Sequence, residues 1–513
     1  MRPADRPYDG VVMRITAGHP VVTTRQGTLR GEVRDGVAVF KGIPYAAPPF
    51  GANRFQPPQP PPTWDGVRDA IEYGLVPPQP PYAPPFDQLL GDQGRPGEDC
   101  LNLNVWTKDP GGRGLPVMVW IHGGAFMRGS GALPSYDGSR FARDGVVCVT
   151  INYRLGADGF LYLGEGIANR GLLDQIAALE WVQENIQGFG GDPAKVTIFG
   201  ESAGAFSIAT LLSMPRAQGL FQRVIAQSGA AQHTSSQATA QMIGRNLADK
   251  LGVAPTMASI AAVPLERLVA AQAELDVELA VRPDPARWGE VAANGMLFEP
   301  VVDGDVVPAR PIERIVAGAG TGLDLMVGTT TEEWRFFLVP GGAIDRVTDD
   351  RLLTTARVMG LDVEDALPVY RTSRPQATPG DLLGALITDW FFRIPAIRLA
   401  EAHARNGGLP HVYEFAWRSP LFNGRFGAAH AMEIGFVFDN LRRDGAMTLA
   451  GNEPPQALAD AMHHAWVSFA TSGSPGWSPY DDRERTVMRF AETGGTVVID
   501  PAASERQLWD GIR

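Results

Sequence analysis

Apolar residues in this chain fall into two kinds of pattern. One short run, Val117-Met-Val-Trp-Ile121, is apolar throughout, and similar, mostly apolar runs recur at 146–152, 196–199, 224–226 and 325–328. Such runs are expected of strands buried on both faces. Between them lie stretches with helical spacing. Residues 169–185 carry Leu172, Leu173, Ile176, Leu179, Trp181 and Val182 at such intervals, and 205–212 reads as a second helix. Strand and helix in alternation predict a mostly parallel sheet covered by helices on both faces. Residues 412–416 read as a further strand. The segments at about 235–295 and 342–400 are mostly helical, and they predict a cap over whatever site the sheet carries. Proline-rich stretches at 57–62 and 77–85 read as extended loops on a domain surface rather than as hinges. The expected organisation is a disordered leader over 1–20 and one domain over 21–505, enlarged by the two helical insertions.

Composition narrows the class. With 513 residues, 44% hydrophobic and 20% charged, the chain can bury a large core. It is acidic, with 57 Asp+Glu against 45 Lys+Arg, and it has no basic run, which argues against a nucleic-acid or anionic-membrane partner. Two cysteines, Cys100 and Cys148, supply no disulfide framework, so a reducing compartment is expected. The first ten residues lack the apolar stretch of a signal peptide, and no run of about 18 apolar residues occurs. Together these predict a cytoplasmic protein, starting at Met1 or Met13. No feature of the sequence assigns an oligomeric state.

The chemistry starts at Gly200-Glu-Ser-Ala-Gly204, a G-x-S-x-G pattern. In a chain with 59 glycines, chance supplies about 0.3 such matches, so the pattern alone is weak. Its context is not: an apolar strand precedes it and a helical run follows, the arrangement that lifts a serine into an exposed, strained turn. The glycines are expected to permit the sharp reversal. Ser202 is then the candidate nucleophile. His122-Gly-Gly-Ala-Phe126 follows another buried strand, and the N–H groups of Gly123 and Gly124, with that of Ala203, are candidate donors to an oxyanion. Chain order in such sites runs serine, acid, histidine, which leaves His403, His411, His430, His463 and His464 as bases. His403 lies in a charged helical stretch and is expected to be solvated. His411 opens a strand, and His463 and His464 sit on an amphipathic helix. His430 follows the glycine-rich loop 423–429, just past a strand, and is favoured. For the acid, the residues alone leave Glu332 and Glu333 both open. No glycine fingerprint for a dinucleotide and no metal-ligand cluster appears, so no cofactor or metal is implied.

These segments resemble the type-B carboxylesterase family, which includes bacterial p-nitrobenzyl esterases and the cholinesterases. The resemblance runs from about Val22 to Trp477 through Phe40-Lys-Gly-Ile-Pro-Tyr-Ala46, Glu98-Asp-Cys-Leu-Asn-Leu-Asn104, Asn152-Tyr-Arg-Leu-Gly156, Asn169-Arg-Gly-Leu-Leu-Asp-Gln175 and Gln227-Ser-Gly229. It implies an α/β-hydrolase fold and hydrolysis of small to medium acyl or aromatic esters, with a small-molecule ester as the partner. It also implies that Glu333 is the acid, because Gly328-Thr-Thr-Thr-Glu-Glu-Trp334 aligns with the family's acidic motif, Trp334 replacing the usual glycine. His430 opens the family's histidine motif, which runs to Phe438. By the same resemblance Glu201 and Phe126 contact substrate, and Met296 and Phe298 line the acyl pocket. Glu433 and Ser228 are implied as buried network partners, and Arg54 with Glu98 as a structural salt bridge. Cys100 aligns with a half-cystine but has no upstream partner. Two rivals remain: amide, carbamate or thioester hydrolysis on the same machinery, and a non-catalytic, neuroligin-like recognition protein. The second is disfavoured by the retained Ser202, Glu333 and His430.

Overall fold

A computed structural model describes residues 19–512. The expected leader, apart from His19 and Pro20, lies outside the described residues.

Among them the main sheet has eleven strands: β1 (Glu32–Arg34), β2 (Val37–Pro44), β3 (Asn102–Thr107), β4 (Leu115–Ile121), β5 (Val147–Ile151), β6 (Gly191–Glu201), β7 (Arg223–Gln227), β8 (Asp324–Thr330), β9 (His411–Phe415), β10 (Thr486–Ala491) and β11 (Gly494–Ile499). Their spatial order is β1-β2-β3-β5-β4-β6-β7-β8-β9-β10-β11. The seven strands from β5 to β10 run parallel, while β1, β2 and β3 on one side and β11 on the other pair antiparallel. This is the α/β-hydrolase architecture. A small second sheet joins Val21–Thr23, Thr28–Arg30 and Val67–Asp69.

Strand β4 shows why the apolar runs form the sheet's centre. Its side chains alternate, so Val117, Val119 and Ile121 enter one core while Met118 and Trp120 enter another on the opposite face. The first core is closed by α1 (Arg170–Asn185) and α2 (Ala203–Ser213), through Leu172, Ile176, Leu179, Ile208 and Leu211. The second holds Leu458, Met462, Trp466 and Phe469 of the helix Gln456–Ser472. The segment at 235–295 contains Gln237–Leu251 and Leu265–Val281, and that at 342–400 contains Asp349–Val358, Val363–Ser373 and Pro379–Thr388. No helix among the described residues is long and apolar enough to cross a membrane.

Register sets the site. Ile121 pairs with Gly200 and Ile151, Gln227 with Glu201 and Gly328, and Gly328 with Tyr413. The loops leaving β4, β6, β7, β8 and β9 therefore emerge together at the sheet's carboxyl edge, where ligands bind in such folds.

The implied pair of Arg54 with Glu98 is not made. Arg54 Nε donates to Asp158 at 3.0 Å and its Nη1 to the carbonyls of Ala261 and Val263, while Glu98 faces solvent. The more buried ion pair in the resembling segments is Arg154 with Asp174, both essentially inaccessible. Arg154 gives Asp174 three hydrogen bonds of 2.7–3.0 Å, which tie the end of β5 to α1.

Candidate active site

Ser202 stands between β6 and α2 with φ 55° and ψ −122°, in the left-handed half of the map that non-glycine residues avoid. The structure revises the reason for its flanking glycines. Neither Gly200 nor Gly204 has a positive φ, so the serine itself takes the strained conformation. What the glycines permit is close approach, because a Cβ on either would collide with the carbonyl of Ile121 at the end of β4. Ser202 N–H donates to Gln227 O at 3.0 Å and its carbonyl accepts from Phe206 N–H at 2.9 Å, fixing the turn from both sides. The residue is half-buried in an otherwise buried turn.

Gly123 packs against this turn. A Cβ on it would lie 3.0 Å from Ser202 Cβ and 2.8 Å from Glu201 Oε2. Gly124 has φ 112°, and its carbonyl accepts from the N–H groups of Met127 and Arg128, so the loop curls back on itself. The N–H groups of Gly123, Gly124 and Ala203 have no hydrogen-bond partner among the described residues. The Ala203 N–H opens α2, where the first-turn donors of any helix are free. His122 holds the loop from below. It is fully buried, its Nδ1–H donates to Gly123 O at 2.8 Å, and its ring stacks on Tyr153. Burial pushes its pKa down to about 4, so it is neutral and structural.

On the other side, His430 Nδ1 lies 2.6 Å from Glu333 Oε2. Glu333 is inaccessible, and its second oxygen accepts from Thr330 N–H at 2.8 Å. Glu332, the other acid left open by the residues alone, points away to Arg335 and Arg418. His430 Nε2 lies 3.0 Å from Glu201 Oε1, and no hydrogen bond joins it to Ser202 Oγ. Burial alone would lower the pKa of His430. The charges of Glu201 and Glu333 and the hydrogen bond with Glu333 outweigh that and hold it well above the ordinary value. Burial raises Glu201, against the pull of His430. Glu433, buried beside Gln227, is pushed up to about 8 by burial and by the charges of Glu201 and Glu333. Ser228 is fully buried with its hydroxyl unpaired.

The other histidines are elsewhere. His463 bridges Val437 O and Asp144, and His464 is exposed. The expectation of a solvated His403 is overturned: it is buried, because its charged neighbour Glu401 is itself buried and paired with Arg398 and Arg485. Burial lowers its pKa.

Phe126, in the loop after β4, is fully buried with its ring 4.9 Å from Phe160. Met296 and Phe298 are buried. Three phenylalanines that the sequence reading passed over pack their rings near His430: Phe392 at 4.8 Å, Phe337 at 5.5 Å and Phe336 at 5.9 Å. Phe337 is 40% exposed and gives the site an open apolar face. Trp334 packs on Phe337 and Phe391, joining the base to the turn Asp389–Arg393 of the second insertion. The signal available in sequence was the aromatic run Trp390-Phe-Phe392.

The profile of the carboxylesterase family matches residues 18–509. The para-nitrobenzyl esterase of Bacillus subtilis is 38% identical, over 95% of this chain and 98% of its own length. The phenmedipham hydrolase of Pseudarthrobacter oxydans is 35% identical, over 94% and 97%. A crystal structure of a Geobacillus stearothermophilus carboxylesterase superposes with a TM-score of 0.84 at 39% identity, covering 95% of this chain and 99% of that one.

Proposed function

This chain belongs to the carboxylesterase family and is a carboxylic ester hydrolase, and from that premise we propose that it works through an acyl-enzyme on Ser202, with His430 as general base and Glu333 as the acid that orients it. The observation that carries the reading is the convergence on one buried imidazole: Glu333 at Nδ1 and, at Nε2, the residue next to the strained serine. With Nδ1–H donating to Glu333, Nε2 is the atom that accepts a proton once the imidazole is neutral.

In the first step Nε2 exchanges Glu201 for Ser202 Oγ, a contact that commonly tightens only when substrate binds. The hydroxyl loses its proton to Nε2 as oxygen attacks the ester carbonyl. The tetrahedral oxyanion is met by the free N–H groups of Gly123, Gly124 and Ala203 at the positive end of α2. The imidazolium, stabilised by Glu333, protonates the departing alkoxide, and water then repeats the sequence to release the acid. Phe337 and Trp334 offer an apolar face on the histidine's side, where the alcohol leaves, which favours aromatic or bulky alcohols. Met296 and Phe298 are the proposed floor of the acyl pocket. Para-nitrobenzyl esters and phenmedipham, suggested by the relatives' names, belong in the first substrate panel. Both cysteines are unpaired and buried, which fits work in a reducing compartment.

The test is a p-nitrophenyl ester series from acetate to octanoate. Turnover that saturates, with a burst equal to one acyl group per chain, is expected; turnover without any burst and without dependence on Ser202 would overturn the acyl-enzyme.

A further inference from the structure

Glu332 and Glu333 are neighbours with opposite tasks. Glu332 N–H donates to Ala428 O at 3.0 Å, and Glu332 Oε2 accepts from Ala428 N–H at 3.0 Å. Ala428 is thereby held by both its polar backbone groups, two residues before His430. The N–H of His430 in turn donates to Glu333 O at 3.2 Å. These three bonds lace the turn after β8 to the end of the loop that carries the base. Gly427 lets them form: it has φ 67°, and a Cβ there would run into the Glu332 carboxylate. Arg335 at 2.9 Å and Arg418 fix that carboxylate. Arg335 also reaches Arg425 O at 2.6 Å and Asp381 at 2.8 Å, so it spans the same loop.

We propose that Glu332 is a positioning residue for the reaction: its carboxylate fixes the Ala428 peptide and so sets the register that brings His430 Nδ1 against Glu333. It does not meet the imidazole. The groups that do are Glu201, Glu333, Phe336, Phe337 and Phe392, with the Glu433 carboxyl, pushed up to about 8, close by. Glu332 acts through the backbone, with a charge-assisted bond stronger than a neutral one. The inference rests on the assignment of His430 and Glu333 made above.

Glu332→Asp and Glu332→Gln separate hydrogen bonding from charge. The aspartate keeps the charge but withdraws the oxygens by one methylene, while the glutamine keeps an acceptor within reach of Ala428. Steady-state kinetics on p-nitrophenyl acetate, with Ser202 titrated by burst amplitude, should show kcat per active site about tenfold lower in Glu332→Asp, KM nearly unchanged, and a smaller loss in Glu332→Gln. The acid limb of kcat/KM should move to lower pH in Glu332→Asp, because Nδ1 drifts from the Glu333 charge. The inference is overturned if both variants match the wild type per active site. It is equally overturned if all loss lies in the number of titratable sites with the limb unmoved. His430→Ala is the control: if it keeps wild-type turnover, the assignment of the base has failed rather than the role of Glu332.

Discussion

The two halves of the site are built from different materials. The nucleophile's half, at the ends of β4 and β6, is almost all backbone: Gly123, Gly124, Gly200 and Gly204 crowd so closely that a single Cβ would collide with a carbonyl or with Ser202. The base's half, at the ends of β8 and β9, is held by side chains: Glu333 on the imidazole, joined by Glu201 reaching across from β6, Glu332 with its arginines on the loop, and aromatic rings around both. Backbone geometry is set by sterics and does not titrate. Side-chain geometry is set by charge and answers to pH. The first half should therefore fail by shape and the second by protonation.

The largest expected effect is in the charged half. Glu333→Gln keeps the shape of the acid but supports the wrong tautomer, and kcat should fall by about 10⁴-fold, as measured for the equivalent change in a serine-protease triad. A loss under tenfold in p-nitrophenyl acetate turnover would move the acid's role elsewhere. Next is Gly124→Ala, which places a side chain at φ 112° against the Arg128 carbonyl and disturbs one oxyanion donor. A fall of about 10²–10³-fold in kcat is expected, at every pH and with the acid limb unmoved. A limb that moves with it would break the distinction between the halves.

Glu201→Gln sharpens the distinction. The base works when neutral, so activity rises with pH through the pKa of His430, which lies above its ordinary value. Removing one of the two charges that raise it must lower that pKa and carry the acid limb to lower pH; a limb moving upward contradicts the account. The smallest effect belongs to Glu433. With its pKa near 8 it is uncharged at pH 7, so Glu433→Gln should leave kcat/KM little changed at pH 6–7. A loss of 10²-fold there would show that its proton is used.

The same contrast explains what could be read from the sequence. The elbow and the glycine loop were legible because sterics leave few residue types for such turns, and the parallel strands because burial on both faces leaves nothing polar in β4 and a single threonine, Thr150, in β5. The choice between Glu332 and Glu333 was not legible from pattern, because two adjacent carboxylates differ only in which loop they face; resemblance supplied it. His403 was misjudged because charged neighbours suggest solvent even when, like Glu401, they are paired and buried. Phe392, 38 residues before His430 in sequence, is brought onto its ring only by the folding of the second insertion.

Passage of ester cleavage through Ser202 is open to a single side-by-side comparison. Wild type and Ser202→Ala should be compared on p-nitrophenyl acetate with equal amounts of folded protein. A burst and steady turnover are expected in the wild type, and in the variant no burst and a rate lower by several orders of magnitude. A folded Ser202→Ala protein that hydrolyses the ester at a rate near wild type would contradict passage through Ser202.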